Sequence, residues 1–446
     1  MNPVPGQMMQ MPLLISNLIR HAARHHGDTE IVSRRVEGDI HRTTYREAEL
    51  RSRKFAQALA RLGTQPGERI GTLAWNGYRH FEIYYGVSGS QRVCHTINPR
   101  LFPDQIAWIA NDAADQVLCF DLTFLPLVEQ IAPALKQVRQ QVRHFVLMTD
   151  RAHMPAASTL PGLLCYEELI DAEDGDYRWP EFDENTASSL CYTSGTTGHP
   201  KGALYSHRSS VLHAYGAALP DAMGCSAADV ILPVVPMFHV NAWGLPYSGP
   251  MVGAKLVFPG PFLDGKSLHE LFEQEQVTFS AGVPTVWLGV INHLKCAGLK
   301  MSSLKRTVIG GAACPPAMRQ TLEEDYGVQV IHAWGMTELS PLGTLSRLKA
   351  QHATLPPDAQ RALLNKQGRA ICGSARPSSA TTAVRCRGTA AAAVTCWCAA
   401  AGSSSAISAK PLPRCASSTA SGGSPPATSP PSTRTATCRS PIAART

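Results

Sequence analysis

Near Gly373 the grammar of the chain changes, and that break decides how much of it can build a core. From Ser374 to Thr446 there is no aspartate or glutamate and one aromatic residue, Trp397; small and turn-forming residues dominate, as in Ala390–Ala393 and Ser424–Ser432. Such a segment buries too little apolar surface to offset the entropy of ordering it, so composition predicts a disordered tail over 374–446. Eight of the 41 lysines and arginines lie there, which leaves 33 basic residues against 34 acidic ones in residues 1–373. The net charge of +7 is therefore the tail's. A neutral body excludes reading the basicity as a nucleic-acid footprint of the whole protein, and no nucleic-acid partner is expected.

The eight cysteines of the body are scattered without metal-ligand spacing, as in a reduced, cytoplasmic protein. Met11–Ile19 is apolar but interrupted by Ser16 and Asn17, and no lysine or arginine precedes it, so it makes a poor signal peptide. No uncharged apolar run approaches the ~18 residues that a spanning helix requires. A soluble protein without a transmembrane segment is expected.

Upstream of the break, strand-like and helix-like stretches alternate. Thr44 and Glu47 have capping-box spacing, and the helix they open carries Phe55, Leu59 and Leu62 before stopping at Gly63. Strands are predicted at Arg69–Trp75, His144–Met148, Val230–Val235, Lys255–Phe258, Val277–Ser280, Thr307–Ile309 and Val328–Ile331. Helices are predicted between them, as at Ser267–Gln274 and Pro315–Tyr326. This alternation argues an α/β fold with largely parallel sheets.

The densest chemical signal is Tyr192-Thr193-Ser194-Gly195-Thr196-Thr197-Gly198-His199-Pro200-Lys201-Gly202, set between strand-like runs at Ser189–Tyr192 and Ala203–Ser206. Its glycines let backbone N–H groups approach an anion, its hydroxyls can bond phosphate oxygens, and Lys201 adds a mobile positive charge. It is not a Walker A loop, because Gly-Lys-Ser/Thr after four spacer residues is absent. A loop of Gly and Thr is by itself more often a plain turn; the specificity lies in the full string.

That string resembles the phosphate-binding signature of the AMP-forming acyl-CoA synthetases, in the adenylate-forming superfamily with firefly luciferase and peptide-synthetase adenylation domains. Three further stretches agree. Pro236–Gly244 (PMFHVNAWG) resembles the family's segment beside the acyl pocket, and Gly310-Gly311-Ala312-Ala313 the adenine-side segment. His332–Glu338 (HAWGMTE) resembles the segment whose threonine bonds a phosphate and whose glutamate holds Mg²⁺. The resemblance covers residues 1–373 and implies a large N-terminal adenylation domain of the synthetase/luciferase type, with mixed and parallel sheets flanked by helices. It implies ATP, Mg²⁺ and coenzyme A acting with a fatty acid, and is compatible with a homodimer.

By resemblance, Lys201, Thr337 and Glu338 are the catalytic residues, with Glu338 also the metal ligand. Thr193, Ser194, Gly195, Thr196, Thr197 and Gly198 would hold phosphates; Gly311, Ala312, Trp334, Gly335 and Met336 the adenine. His239, Val240, Trp243 and Gly282 would shape the acyl pocket. The residue types make physical sense. A carboxylate attacking the α-phosphate of ATP brings like charges together, and a metal, a lysine and loop amides offset that repulsion. Amino-acid adenylation would need a carboxylate near the pocket to pair the substrate ammonium. Phe238–Gly244 offers His, Asn and Trp but no acid, and Ser280–Thr285 offers small residues, which suits an alkyl chain. His95–Leu101 and Phe238-His239-Val240 look most like bacterial medium- and long-chain fatty acid–CoA ligases; aryl and branched acids stay open.

Family members continue past Gly373 into a small mobile domain that supplies a ribose-binding Asp, a hinge Arg and a late Lys, none of which can be placed here. The tail carries another text instead. Read one base earlier in each codon, Val394–Ala400 (VTCWCAA) is compatible with GDLLVRG, a family string from just before the hinge. In the same frame, Gly423–Thr446 is compatible with WFPTGDVATIDPDGYLQITDRSKD, which contains the ribose Asp and the hinge Arg in family context. One base lost near codon 373 accounts for both, and for the basic, acid-free composition. The expectation is an adenylation domain, 1–373, followed by a frameshifted tail, 374–446, with the printed chain impaired as a synthetase. The alternatives are a non-catalytic pseudoenzyme with a basic disordered binding arm, and an adenylating domain that loads a carrier protein.

Overall fold

The computed structural model describes Gly6 and residues 8–135, 142–193 and 199–371. The tail assigned to 374–446 lies outside the described residues. Sixteen strands are formed among the described residues. They are β1 (Glu30–Arg34), β2 (Ile40–Thr44), β3 (Arg69–Leu73), β4 (Val93–Thr96), β5 (Asp115–Phe120), β6 (His144–Leu147), β7 (Leu164–Cys165) and β8 (Ala187–Thr193). There follow β9 (Lys201–Ser206), β10 (Val230–Pro233), β11 (Lys255–Phe258), β12 (Phe279–Gly282), β13 (Arg306–Ile309), β14 (Gln329–Gly335), β15 (Leu342–Leu345) and β16 (Arg369–Ala370).

One sheet has the order β16-β15-β14-β13-β12-β10-β11-β1-β2 and the other β7-β6-β5-β3-β4-β8-β9. Pairing is parallel through the middle of both. Antiparallel pairs occur only toward the edges: β1 with β2, β14 with β15, β15 with β16, and β8 with β9. The fold is thus α/β with mixed, mainly parallel sheets.

The inner strands are short and buried on both faces, as parallel sheets between helices require, whereas the edge strands β2 and β9 are partly exposed. Successive residues join different cores. Ile31, Leu256 and Val117 belong to one hydrophobic cluster shared by both sheets, whereas Val32 and Val257 face a second cluster and Leu118 a third. The shared cluster is filled by helices between the sheets: α1 (Ile15–His25), α2 (Tyr45–Arg61) and α3 (Tyr78–Gly89). The second cluster lies under the helices Gly265–Gln274 and Pro284–Ala297, and the third under α4 (Pro103–Ala113) and Leu125–Leu135.

The capping box at the start of α2 forms as expected: Thr44 accepts from the Glu47 N–H, and Glu47 accepts from the Thr44 N–H at 3.0 Å. The strand expected at Val277–Ser280 begins two residues later. The Val277 N–H closes the preceding helix on the Phe272 carbonyl, and Gln276 turns left-handed with φ 54°. The helix expected over Pro315–Tyr326 is α-helical over Pro316–Gln320 and continues as a wider π-turn over Thr321–Asp325. Among the described residues no helix is long and apolar enough to cross a membrane.

Candidate functional site

A cleft of about 180 Å³ opens beyond the C-terminal ends of β13 and β14, where open α/β sheets place their ligands. It is lined by His239, Val240, Trp243, Gly310, Gly311, Ala333, Trp334, Gly335, Met336, Thr337, Pro341 and Leu342. It gathers expected acyl-pocket residues (His239, Val240, Trp243) and expected nucleotide residues (Gly311, Trp334, Gly335, Met336, Thr337) around one space. This lining contains no aspartate or glutamate.

The apolar wall is built by an unusual backbone. Val240, Asn241, Ala242 and Trp243 have φ of 44°, 52°, 48° and 55°, a left-handed turn of four non-glycine residues that Gly244 (φ 78°) closes. Each such residue costs about 1–2 kcal/mol, so the surroundings must hold the turn. Asn241 donates to Ser189 Oγ at 3.0 Å, and the Ala242 N–H reaches the Pro236 carbonyl at 3.2 Å. Before the turn, Asn76 donates to the carbonyls of Pro233 and Val235 at 2.8 and 2.9 Å and accepts from the Met237 N–H at 2.7 Å. Tyr84 donates to the Met237 carbonyl and, beyond the turn, Tyr85 to the Pro246 carbonyl.

Behind the turn stands His213. A side chain at Gly244 would place its first carbon 2.5 Å from His213 Nδ1, so only glycine fits there. Burial lowers the His213 pKa to about 4, which keeps the imidazole neutral, and Nε2 accepts from the Leu342 N–H at 3.2 Å. His213 thereby ties the left-handed turn to the far wall of the cleft. His239 is exposed to solvent on one side, yet the protein around it still lowers its pKa below the ordinary imidazole value by desolvation.

The phosphate side is held by β8 and β9. Thr193 ends β8, Lys201 begins β9, the two are ladder partners, and Thr193 Oγ1 donates to the Lys201 carbonyl at 3.3 Å. Lys201 is exposed. Ser194, Gly195, Thr196, Thr197 and Gly198 lie outside the described residues. Four residues along β9, Tyr205 donates to the Thr337 carbonyl at 2.6 Å and ties the strand to the turn Thr337–Leu339. Glu338 is exposed on that turn, next to the buried Thr337.

Five of the expected residues that are described stand apart from the cleft lining: Thr193 and Lys201 on β8 and β9, and Ala312, Glu338 and Gly282. Ala312 is exposed one residue beyond Gly311, and Glu338 one beyond Thr337. Gly282 is buried at the end of β12, where an added Cβ would lie 2.9 Å from Trp287 Nε1; the neighbouring Val283 is the residue packed near Gly311. Tyr205, His213 and Asn76 were not singled out from the sequence. Their partners lie 132, 129 and 161 residues away, and no local pattern marks them.

Among the described residues one group could meet a metal by proximity, Glu37, Asp150 and His153. Asp150 there already accepts from Arg35 at 3.1 Å and lies 2.6 Å from His153 Nδ1, so its carboxylate is already engaged.

The model of the family described as AMP-binding enzyme matches residues 18–376. A 3-methylmercaptopropionyl-CoA ligase of Ruegeria lacuscaerulensis is 57% identical over 364 residues, which cover 82% of this chain and 67% of that protein. A medium-chain-fatty-acid–CoA ligase of Ectopseudomonas oleovorans is 53% identical, with 82% of this chain and 66% of that protein covered. This chain thus spans about two thirds of the length of these relatives. The crystal structure of a long-chain-fatty-acid-CoA ligase from Archaeoglobus fulgidus shares the fold at a TM-score of 0.68 and 23% identity, covering 83% of this chain and 71% of that one.

Proposed function

Because the chain belongs to the AMP-binding enzyme family, we propose that it activates a fatty acid with ATP and transfers the acyl group to coenzyme A. In the first step the carboxylate oxygen attacks the α-phosphorus, the bond to the β-phosphate breaks, and pyrophosphate leaves from an acyl-adenylate. In the second the CoA thiol, losing its proton, displaces AMP from the acyl carbon. The observation that carries this reading is the shared cleft: an apolar wall of Val240 and Trp243 faces Gly311 and Trp334–Thr337, with no carboxylate in the lining to receive an ammonium group.

In this reading Thr193 and Lys201 hold phosphates and Thr337 bonds the α-phosphate. Glu338 suits Mg²⁺, since an exposed carboxylate oxygen is a hard donor; when bound, the ion offsets charge between nucleotide and attacking carboxylate. The relatives' names point to acids from a short thioether acid to medium-chain fatty acids. We place the activity in the cytoplasm; a homodimer would be read by light scattering. The test is acid-dependent exchange of labelled pyrophosphate into ATP over a series from propanoate and 3-(methylthio)propanoate to hexadecanoate. Exchange with a short or medium alkyl acid, and none with amino acids, is expected; exchange with no acid overturns the reading.

We also propose that residues 374–446 are a family C-terminal domain translated out of frame. Resequencing codons 360–380 in the source strain should recover one base, and the frame-restored protein should form acyl-CoA at least about tenfold faster than the printed chain, a loss typical of a missing positioning group. A printed chain that makes thioester as fast as the restored one overturns this.

A further inference from the structure

The turn between β8 and β9 joins strands of unequal security. Among the described residues β8 is paired on both sides, whereas β9 is the last strand of its sheet and pairs with β8 alone. An anion-binding turn stabilises developing charge only if its ends are fixed before the ligand arrives. The ladder ends at the pair Thr193 and Lys201 and does not reach His199, two residues before β9.

Helix α4 supplies what the sheet edge lacks. Trp108 and Asp112 are four residues apart and lie on one helix face. Asp112 accepts a 2.6 Å hydrogen bond from the Tyr192 hydroxyl. Trp108 stands edge-on to the Tyr192 ring, with centroids 6.3 Å apart and planes at 89°. The same indole stacks flat on the His199 imidazole, with centroids 4.5 Å apart and planes 10° from parallel. One side chain thus touches the residue before the turn and the residue after it. Trp108 is itself half-buried against the third hydrophobic cluster and so is anchored in the domain.

We propose that Trp108 and Asp112 are positioning residues for nucleotide phosphates: α4 holds Tyr192 and His199, which flank the β8–β9 connection, and so orients the neighbouring Thr193 and Lys201. The proposal rests on the reading of those two residues as phosphate-holding. It assigns to His199 the role of the exit contact, a side chain whose imidazole acts through its flat face.

The test is calorimetric binding of Mg²⁺·ATP, and separately of the fatty acid, to the full chain and to Trp108→Ala, Trp108→Phe, His199→Ala, Asp112→Asn and the double variant Trp108→Ala/His199→Ala. A lost aromatic contact corresponds to about a 3- to 10-fold change in affinity. Trp108→Ala and His199→Ala should each weaken ATP by that factor, and the double variant should be no weaker than Trp108→Ala. Trp108→Phe should recover most of the loss, and Asp112→Asn, which keeps an acceptor for Tyr192, should lose less than about threefold. Fatty-acid affinity should stay within about twofold. His199 is exposed, so His199→Ala should melt with the native protein, which separates positioning from folding. Native chain that binds ATP while the single alanine variants bind it equally well overturns the clamp alone, as do losses that simply add. Native chain that binds no ATP overturns both the clamp and the reading beneath it.

Discussion

Asn241 sits where a side chain must do two things at once. It tolerates the left-handed backbone better than most residues, and it spends its amide on Ser189 Oγ across the core. Asn241→Ala should therefore lower the stability by about 2–3 kcal/mol, the sum of a buried hydrogen bond and the backbone preference. A reduced urea midpoint with an unchanged slope would register it; an unchanged midpoint would mean that packing alone holds the turn. Asp121 is a different case. It is buried at the end of β5, accepts the Trp75 N–H at 2.6 Å, and burial raises its pKa to about 7. The folded pKa lies above the unfolded one, so the stability it contributes is fully present below about pH 4 and is lost as pH rises through about 7. Asp121→Asn keeps an acceptor for Trp75 and removes that titration. The variant should gain about 4 kcal/mol over the native protein at pH 8 relative to pH 4, measured as the difference between their urea midpoints. Residues of this kind are invisible in the sequence. The motif stretches advertise Trp243 and Glu338, but nothing near Asp121, His213 or Tyr205 announces that each meets a backbone group far along the chain.

At the scale of elements, β9 links the two ends of the proposed nucleotide site, with Lys201 at its first position and Tyr205 bonded to Thr337. Tyr205→Phe removes only that hydroxyl and leaves a buried carbonyl without its donor, a loss of about 1–3 kcal/mol. The Mg²⁺ concentration for half-maximal pyrophosphate exchange should rise several-fold while the KM for the acid holds; equal changes in both would show a general loosening instead. Elements are also where the sequence was most legible. Lys255–Phe258 forms β11 within the expected bounds, and Thr44 and Glu47 mark the start of α2 because a cap is a local interaction among four residues. β4 and β5 were not anticipated. Val93–Thr96 contains His and Cys, and Asp115–Phe120 opens on an acid, so neither reads as an apolar run. Their meaning comes from burial: His95 and Asp115 lie wholly inside the protein, hydrogen-bonded at 2.8 Å, a pairing that only the assembled sheet creates. The cleft followed the same rule. Its walls were legible as motifs; the left-handed turn and the α4 contacts that orient them were not, because both depend on long-range packing.

The whole molecule is stitched across its own length. β1 and β2 precede every strand of the smaller sheet in sequence, yet they complete the larger one, with Ile31 to Ser33 beside Leu256 to Phe258 and Lys255 bonded to Glu30 at 2.8 Å. Deleting residues 1–44 would expose the edge of β11 and uncover core residues of α2 and α3, so that the shortened protein should be recovered in inclusion bodies; a soluble, cooperatively melting product would show that the larger sheet is self-sufficient. The same stitch has a consequence for how the protein is made. A ribosome adds about 5–20 residues per second, so β1 emerges about 10–45 s before the strand it must lie against has been synthesised. During that interval the first hairpin carries a bare edge, and the smaller sheet, whose strands all lie between, has time to assemble first. Birth order thus departs from spatial order: the oldest strands wait until every strand of the smaller sheet has been made.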